Sequence, residues 1–224
     1  MPGYQVKFET IPILGGDDLA IRSLLDREQF ADPQGTAEQL GISSASWPLF
    51  GLVWPSARIL AGAMQGFAIE GKRVLEIGCG LALASMVIHR RNGDITASDL
   101  HPLTETFLLE NLSLNHLLPL KYETGNWEAE NPHLGTFDLI IGSDVLYERN
   151  QPALLSAFIA KHANPNVEVI IVDPDRGNRS DFSKCMALLG FSLSEARADG
   201  IQANGEVYKG RILSYRRNLA SIPQ

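Results

Sequence analysis

The stretch Val74-Leu75-Glu76-Ile77-Gly78-Cys79-Gly80-Leu81-Ala82-Leu83-Ala84 decides how the rest of the chain is read. Its first four residues suit a strand, the glycine pair a tight turn, and the residues from Ala82 onward a helix. Such a turn lets a ligand approach the backbone closely and aims the N–H groups of a helix N-terminus toward it. Asp99 stands 21 residues beyond Gly78, at the end of the next predicted strand. A carboxylate there can accept hydrogen bonds from ribose hydroxyls, so the two elements together mark a nucleotide-type site. A dinucleotide-binding fingerprint would want glycine or alanine at position 83, where Leu83 stands, so that helix and strand pack tightly round a pyrophosphate. Glu76 sets a negative charge just before the turn, which opposes a pyrophosphate and suits a sulfonium, an amino group or ribose hydroxyls. The site therefore prefers a ligand without phosphates, and a nicotinamide-dependent oxidoreductase is a distant alternative.

Outward from this stretch, short apolar runs at 73–77, 95–98, 137–143 and 167–173 alternate with helix-like stretches at 82–91, 102–116, 151–162 and 178–189. The alternation predicts βαβ units and a parallel sheet. Leu139-Ile140-Ile141 and Val169-Ile170-Ile171-Val172 are apolar without alternation, as central strands covered on both faces should be. After Gly190 the pattern gives two strands, 191–197 and 207–217, joined by a polar segment that holds Gly200, Asn204 and Gly205. No crossover helix fits between them, which predicts an antiparallel hairpin at the sheet edge. Before Lys72, residues 4–10 and 19–25 suit short strands, 32–35 a turn, and 55–67 a helix with Pro55 at its first position.

Length and composition bound the reading. The 224 residues, 45% hydrophobic and 20% charged, suit a single α/β domain with a sizeable core. Residues 1–54 are expected to be an appendage folded against a core over 55–217. A formal net charge of −7 gives no summed positive field toward phosphate backbones or anionic lipid, so neither nucleic acid nor a membrane is expected as a partner. Two cysteines far apart in sequence make no disulfide framework, and the N-terminus shows no apolar leader. A cytoplasmic protein is expected. The five histidines show no metal-ligand spacing, and no metal is expected.

Five segments carry a family resemblance: Val53-Trp54-Pro55-Ser56-Ala57, Leu75-Glu76-Ile77-Gly78-Cys79-Gly80, Asn126-Trp127, the run from Phe137 through Gly142-Ser143-Asp144-Val145-Leu146-Tyr147, and Val172-Asp173-Pro174-Asp175-Arg176-Gly177. Over roughly residues 50–217 the sequence resembles the S-adenosylmethionine-dependent methyltransferases with a seven-stranded sheet. Within them it looks most like methyltransferase family 16, which includes the lysine methyltransferase of the electron-transfer flavoprotein β-subunit. The resemblance implies an α/β fold of Rossmann-like, doubly wound type, a mostly parallel seven-stranded sheet closed by an antiparallel C-terminal hairpin. It implies S-adenosylmethionine as cofactor and methylation of a protein side-chain nitrogen, lysine first. A small-molecule acceptor is the alternative, and a non-catalytic cofactor- or partner-binding module a more distant one.

Through the resemblance, Gly78 and Gly80 lie under the methionine part of the cofactor with Glu76 near its amino group, and Asp99 holds the ribose. Asn126 stands where relatives often have aspartate on the adenine amino group, a bond an amide oxygen can also accept. Trp54 and Trp127 wall the pocket, although each also suits a large core residue with its N–H satisfied. Cys79, Leu100 and Ser143 complete the expected cofactor contacts, Cys79 as a packed thiol rather than a nucleophile. Ala82 departs from the family pattern by replacing a third glycine. Asp144 is expected to orient the acceptor and Tyr147 to shape its slot, at the end of a central strand where open α/β sheets bind ligands. The plain alternative is a strand-end carboxylate capping the next segment. Arg176 is expected on the substrate rim, available to a carboxylate. Asp99, at a loop end, is not expected to support the core.

Overall fold

The computed structural model describes residues 3–201 and 207–218. Of the expected C-terminal connector, Asn204 and Gly205 lie outside the described residues. In chain order the elements are β1 (Val6–Ile11), β2 (Leu19–Leu24), α1 (Thr36–Gln39), a 3-10 turn (Trp47–Gly51), α2 (Pro55–Gly66), β3 (Arg73–Ile77), α3 (Leu83–Arg90), β4 (Asp94–Asp99) and α4 (Thr104–Leu114). There follow β5 (Lys121–Thr124), β6 (Phe137–Ser143), α5 (Gln151–His162), β7 (Ala163–Asp173), α6 (Arg179–Leu188), β8 (Ser192–Arg197), β9 (Gly200–Ile201), β10 (Val207–Tyr208) and β11 (Arg211–Asn218).

Seven of these strands make one sheet in the order β5-β4-β3-β6-β7-β11-β8. β3 pairs parallel with both β4 and β6, β4 with β5, and β6 with β7; β11 is antiparallel to both of its neighbours. The expected Rossmann-like, mostly parallel sheet with an antiparallel C-terminal pair is what forms. From β3 the chain steps outward through β4 to β5, then returns to place β6 on the other side of β3. That reversal opens a crevice at the carboxyl ends of β3 and β6, where an α/β sheet receives its ligand.

The central strands are apolar because both faces are covered. Val74, Leu139, Ile141, Ile170 and Val172 join one buried cluster with Leu60 of α2, Val87 of α3 and Phe107 of α4. Leu75, Ile77, Ile140, Val169 and Ile171 face the other, with Leu155 of α5 and Phe182 of α6. The period-2 alternation of a strand thus divides uniformly hydrophobic runs between two helical layers. β1 and β2 form a hairpin whose Ile11, Leu19, Ile21 and Leu24 enter the first cluster. The outer edge of β2 is met by two asparagines one turn apart, Asn111 on α4 and Asn115 at its C-terminal cap. Asn111 Oδ1 accepts the N–H of Arg22 at 2.7 Å and its Nδ2 donates to the Arg22 carbonyl at 3.2 Å. Asn115 does the same with Ala20, at 2.9 and 2.7 Å. These four bonds satisfy backbone groups that an edge strand otherwise leaves open.

Two details differ from the sequence expectation. Residues 121–124 form the edge strand β5, a run with no apolar signal because none of its side chains is fully buried. The expected long strand at 207–217 is divided: Val207–Tyr208 pairs with Gly200–Ile201 in a separate ribbon, and only Arg211–Asn218 enters the main sheet. At Gly210, a side chain would meet the Asp173 carbonyl at 2.6 Å and the Tyr208 hydroxyl at 2.5 Å, and the division falls there. Among the described residues no helix is long and apolar enough to cross a membrane, and no cluster of acidic, histidine or cysteine side chains could hold a metal ion.

Candidate active site

A cavity of about 500 Å³ occupies the crevice, walled by the loops after β3, β4, β5, β6 and β7 and by the segment from Leu40 to Trp54. That volume is within the range of small-molecule sites. The glycine turn makes one side. Gly78 and Gly80 have φ of +56° and +51°, the left-handed region that glycine enters at no steric cost. A Cβ on Gly78 would stand 3.0 Å from Val145 and 3.5 Å from the Trp127 ring, and one on Gly80 would stand 3.0 Å from the Phe50 carbonyl. The turn is therefore a cradle that a side chain would fill. Ala82, in place of the third glycine, also takes a left-handed conformation, φ +57°, and begins α3.

Asp99 lines the cavity beside the turn. Its Oδ2 accepts the Gly80 N–H and its Oδ1 the His101 N–H, each at 2.9 Å. The carboxylate therefore fastens the loop after β3 to the loop after β4, a structural role the sequence did not suggest. Burial pushes its pKa up, against the pull of these backbone donors. Leu100, Asn126, Trp127 and Ser143 line the same space. Asn126 Oδ1 accepts the Glu128 N–H at 2.9 Å, and Asn131 grips the Asn126 backbone on both sides. At Gly125, just before it, a Cβ would collide with Ser98 Oγ. Trp54 caps α2 and donates its indole N–H to the Leu49 carbonyl at 2.8 Å. Cys79 lines the floor but is almost wholly buried, and burial raises its thiol pKa, which leaves it an inert packed group.

Glu76 is the expected site residue that the structure sets apart. It does not line the cavity; it is 2% exposed, and its Oε2 accepts both the N–H of Ser85 at 2.8 Å and its hydroxyl at 2.5 Å. The carboxyl thus caps the first turn of α3 from beneath the glycine turn. Burial pushes its pKa up to about 7, so it is a poor source of fixed negative charge at neutral pH.

Asp144 and Tyr147, in the loop after β6, also line the cavity. Asp144 has φ +57° and donates its N–H to the Val172 carbonyl at 2.9 Å. Arg176 Nε donates to Asp144 Oδ1 at 2.6 Å, an ion pair whose partners are 37% and 11% exposed. Beneath the pair lies Asp173, fully buried, with Oδ1 accepting the Arg176 N–H at 2.7 Å and Oδ2 without a partner. Desolvation first, and the charge of Asp144 after it, push Asp173 up to about 6.

Sequence reasoning missed two parts of this cavity. Leu40, Ile42, Leu49 and Phe50 form a wall from the segment least legible in the sequence. His101 also lines it, its ring stacked on Phe50 with centroids 3.7 Å apart and its Nδ1 accepting the Leu103 N–H. Burial holds its pKa down near about 4, so it stands neutral. The only signal for His101 was its place two residues after Asp99.

The residues fit S-adenosylmethionine. The glycine cradle admits a chain close to the backbone, Asp99 offers acceptors to hydroxyls, and Trp127 and Leu100 supply flat apolar walls. Residues 45–187 match the family described as lysine methyltransferase, methyltransferase family 16. A protein N-lysine methyltransferase, METTL21A, of Xenopus tropicalis is 26% identical over 60% of this chain, and the electron transfer flavoprotein beta subunit lysine methyltransferase of Xenopus laevis is 24% identical over 66%. The matches span 61% and 63% of those relatives' own lengths. Among solved structures, magnesium protoporphyrin IX methyltransferase from Synechocystis, with bound S-adenosylhomocysteine, superposes with a TM-score of 0.59 at 16% identity, over 75% of this chain and 89% of that one.

Proposed function

Because the chain belongs to the lysine methyltransferase family, methyltransferase family 16, we propose that it transfers a methyl group from S-adenosylmethionine to the side-chain nitrogen of a lysine in a protein. The observation that carries this reading is a single cavity lined both by the glycine cradle with Asp99 and by Asp144 with Tyr147.

When bound, S-adenosylmethionine supplies a methyl carbon on a positively charged sulfur, open to attack by a neutral amine with the C–S bond breaking toward sulfur. The protein's share of the work is alignment and exclusion of water. Gly78 and Gly80 admit the amino-acid part, Asp99 binds ribose hydroxyls, and Trp54, Leu100 and Trp127 wall the remainder. Asn126 and Ser143 add polar contacts, with Asn126 Oδ1 able to accept a second donor beside Glu128. Cys79 contributes bulk to the floor. Asp144 accepts an N–H of the incoming amine and Tyr147, 45% exposed, forms the mouth through which a lysine side chain enters.

Residues 1–54 form the acceptor side of this reading, since Leu40, Ile42 and Phe50 already wall the cavity. Two free cysteines, Cys79 and Cys185, agree with a reducing, cytoplasmic setting. The test is incubation with radiolabelled S-adenosylmethionine and size-fractionated lysate, followed by hydrolysis of any labelled band. Methyllysine in a discrete protein band is the expected result; label confined to small molecules overturns the choice of acceptor.

A further inference from the structure

A carboxylate alone is a poor neighbour for a lysine that must react. An ammonium placed against a bare Asp144 is stabilised in its charged form, and its lone pair stays committed to the proton. The structure does not present a bare carboxylate. Arg176 Nε holds Asp144 Oδ1 at 2.6 Å, and both residues line the cavity. The arginine is itself held in place from two directions. Its backbone N–H is fixed by Asp173, and its neighbour Asp175, at φ +60°, is clamped by Arg211 at 2.8 Å and Arg197 at 2.9 Å from β11 and β8. Asp144 also sits in the left-handed region, and the Arg176 guanidinium joins its loop to the one that holds Asp175.

We propose that Arg176 is the electrostatic counterweight of Asp144: it cancels the carboxylate's field at the methyl-transfer end, so that an acceptor amine is received uncharged while Asp144 still accepts its N–H. This rests on the reading of the cavity as an S-adenosylmethionine site. The charged and titratable groups around the pair are Asp99, Asp173, Tyr147, Glu148, Tyr208, Asp175 and Arg179. Asp175 is occupied by Arg197 and Arg211, and Arg179 by Glu195. Among the described residues, Arg176 is therefore the cation paired with Asp144, and its backbone N–H holds the buried Asp173. An ammonium that reaches the mouth gives its proton to solvent before attack, and the proton released after N–C bond formation leaves the same way.

The field is measurable without an acceptor. Calorimetry would give affinities for S-adenosylmethionine, for the uncharged thioether S-adenosylhomocysteine, and for sinefungin, which carries an amine in place of the sulfonium methyl. In Arg176→Ala the exposed carboxylate should tighten the two cationic ligands about tenfold relative to the thioether. Arg176→Lys should stay near the parent ratio, and Asp144→Asn should move the ratio the opposite way. An unchanged ratio in Arg176→Ala, with all three ligands bound, overturns the counterweight and leaves the cofactor site standing. A parallel fall in all three affinities assigns Arg176 to holding its loop and likewise overturns it. Failure of the unaltered chain to bind any of the three overturns the cofactor reading, and this proposal with it.

Discussion

The carboxylate of Asp99 accepts the backbone N–H of Gly80 at 2.9 Å, so the residue expected to hold a ribose also closes the turn that cradles the cofactor. Its other oxygen accepts the N–H of His101. Asp99→Ala should therefore lose both functions at once: at least tenfold in affinity for S-adenosylhomocysteine, and about 1–3 kcal/mol of stability from the two donors left unpaired. Calorimetry and urea unfolding measure the two losses separately. A variant as stable as the parent would show that the turn holds its shape without this bond.

Glu76 gives the chain a pH-dependent stability. A buried acid whose pKa rises from 4.5 to about 7 on folding favours the folded state most below pH 4.5, and that contribution is lost as pH climbs through 7. Asp173, raised from 3.8 to about 6, acts in the same direction over a lower window. Glu76→Gln retains an oxygen for Ser85 and removes the ionisation. The parent should lose roughly 1–3 kcal/mol more than this variant between pH 5 and pH 8.5. Equal losses in urea titrations at those two values would place the source of the pH dependence elsewhere.

Gly125 and Ser98 are predicted to be coupled. Gly125→Ala should destabilise by about 1–3 kcal/mol through overpacking, because the new methyl collides with Ser98 Oγ. In a Ser98→Ala background the nearest atom is the Ser98 Cβ at 3.5 Å, an ordinary contact, and most of the loss should disappear. A double-mutant cycle by thermal unfolding tests it; strictly additive effects would contradict the contact.

Asp144→Asn should fold as the parent does, because asparagine tolerates a left-handed conformation nearly as well as aspartate. Methyl transfer to the acceptor found by labelling should fall by about tenfold or more, while affinity for S-adenosylhomocysteine changes little. Unchanged turnover would falsify the role assigned to Asp144. Asp144→Ala is a less informative substitution, since it adds backbone strain to the loss of the carboxylate.

The sheet was legible because Leu139–Ile141 and Val169–Val172 must be uniformly apolar to serve two helical layers, and the glycine turn was legible because positive φ favours glycine. β5 was not, since a four-residue edge strand with no fully buried side chain carries no periodic signal. The same contrast divides the site. Positions fixed by strand ends, such as Asp99, Asp144 and Tyr147, lie at the ends of the strands predicted from spacing and line the cavity. Contacts that depend on side-chain direction could not be read: Glu76 turns under the loop to Ser85, and Arg176 reaches across to Asp144. Nor does any local pattern say that Phe50 will stack on His101, because the partners come from segments 51 residues apart.

Strand β8 hydrogen-bonds to β11 and to no other strand of the main sheet, and β11 fills the position between it and β7. During synthesis, then, β8 emerges before the strand that will join it to the sheet. Until β11 arrives, the apolar run Val169-Ile170-Ile171-Val172 borders an open edge, the kind of surface that pairs with other chains. A second copy offering its own β11 to that edge would form an exchanged dimer.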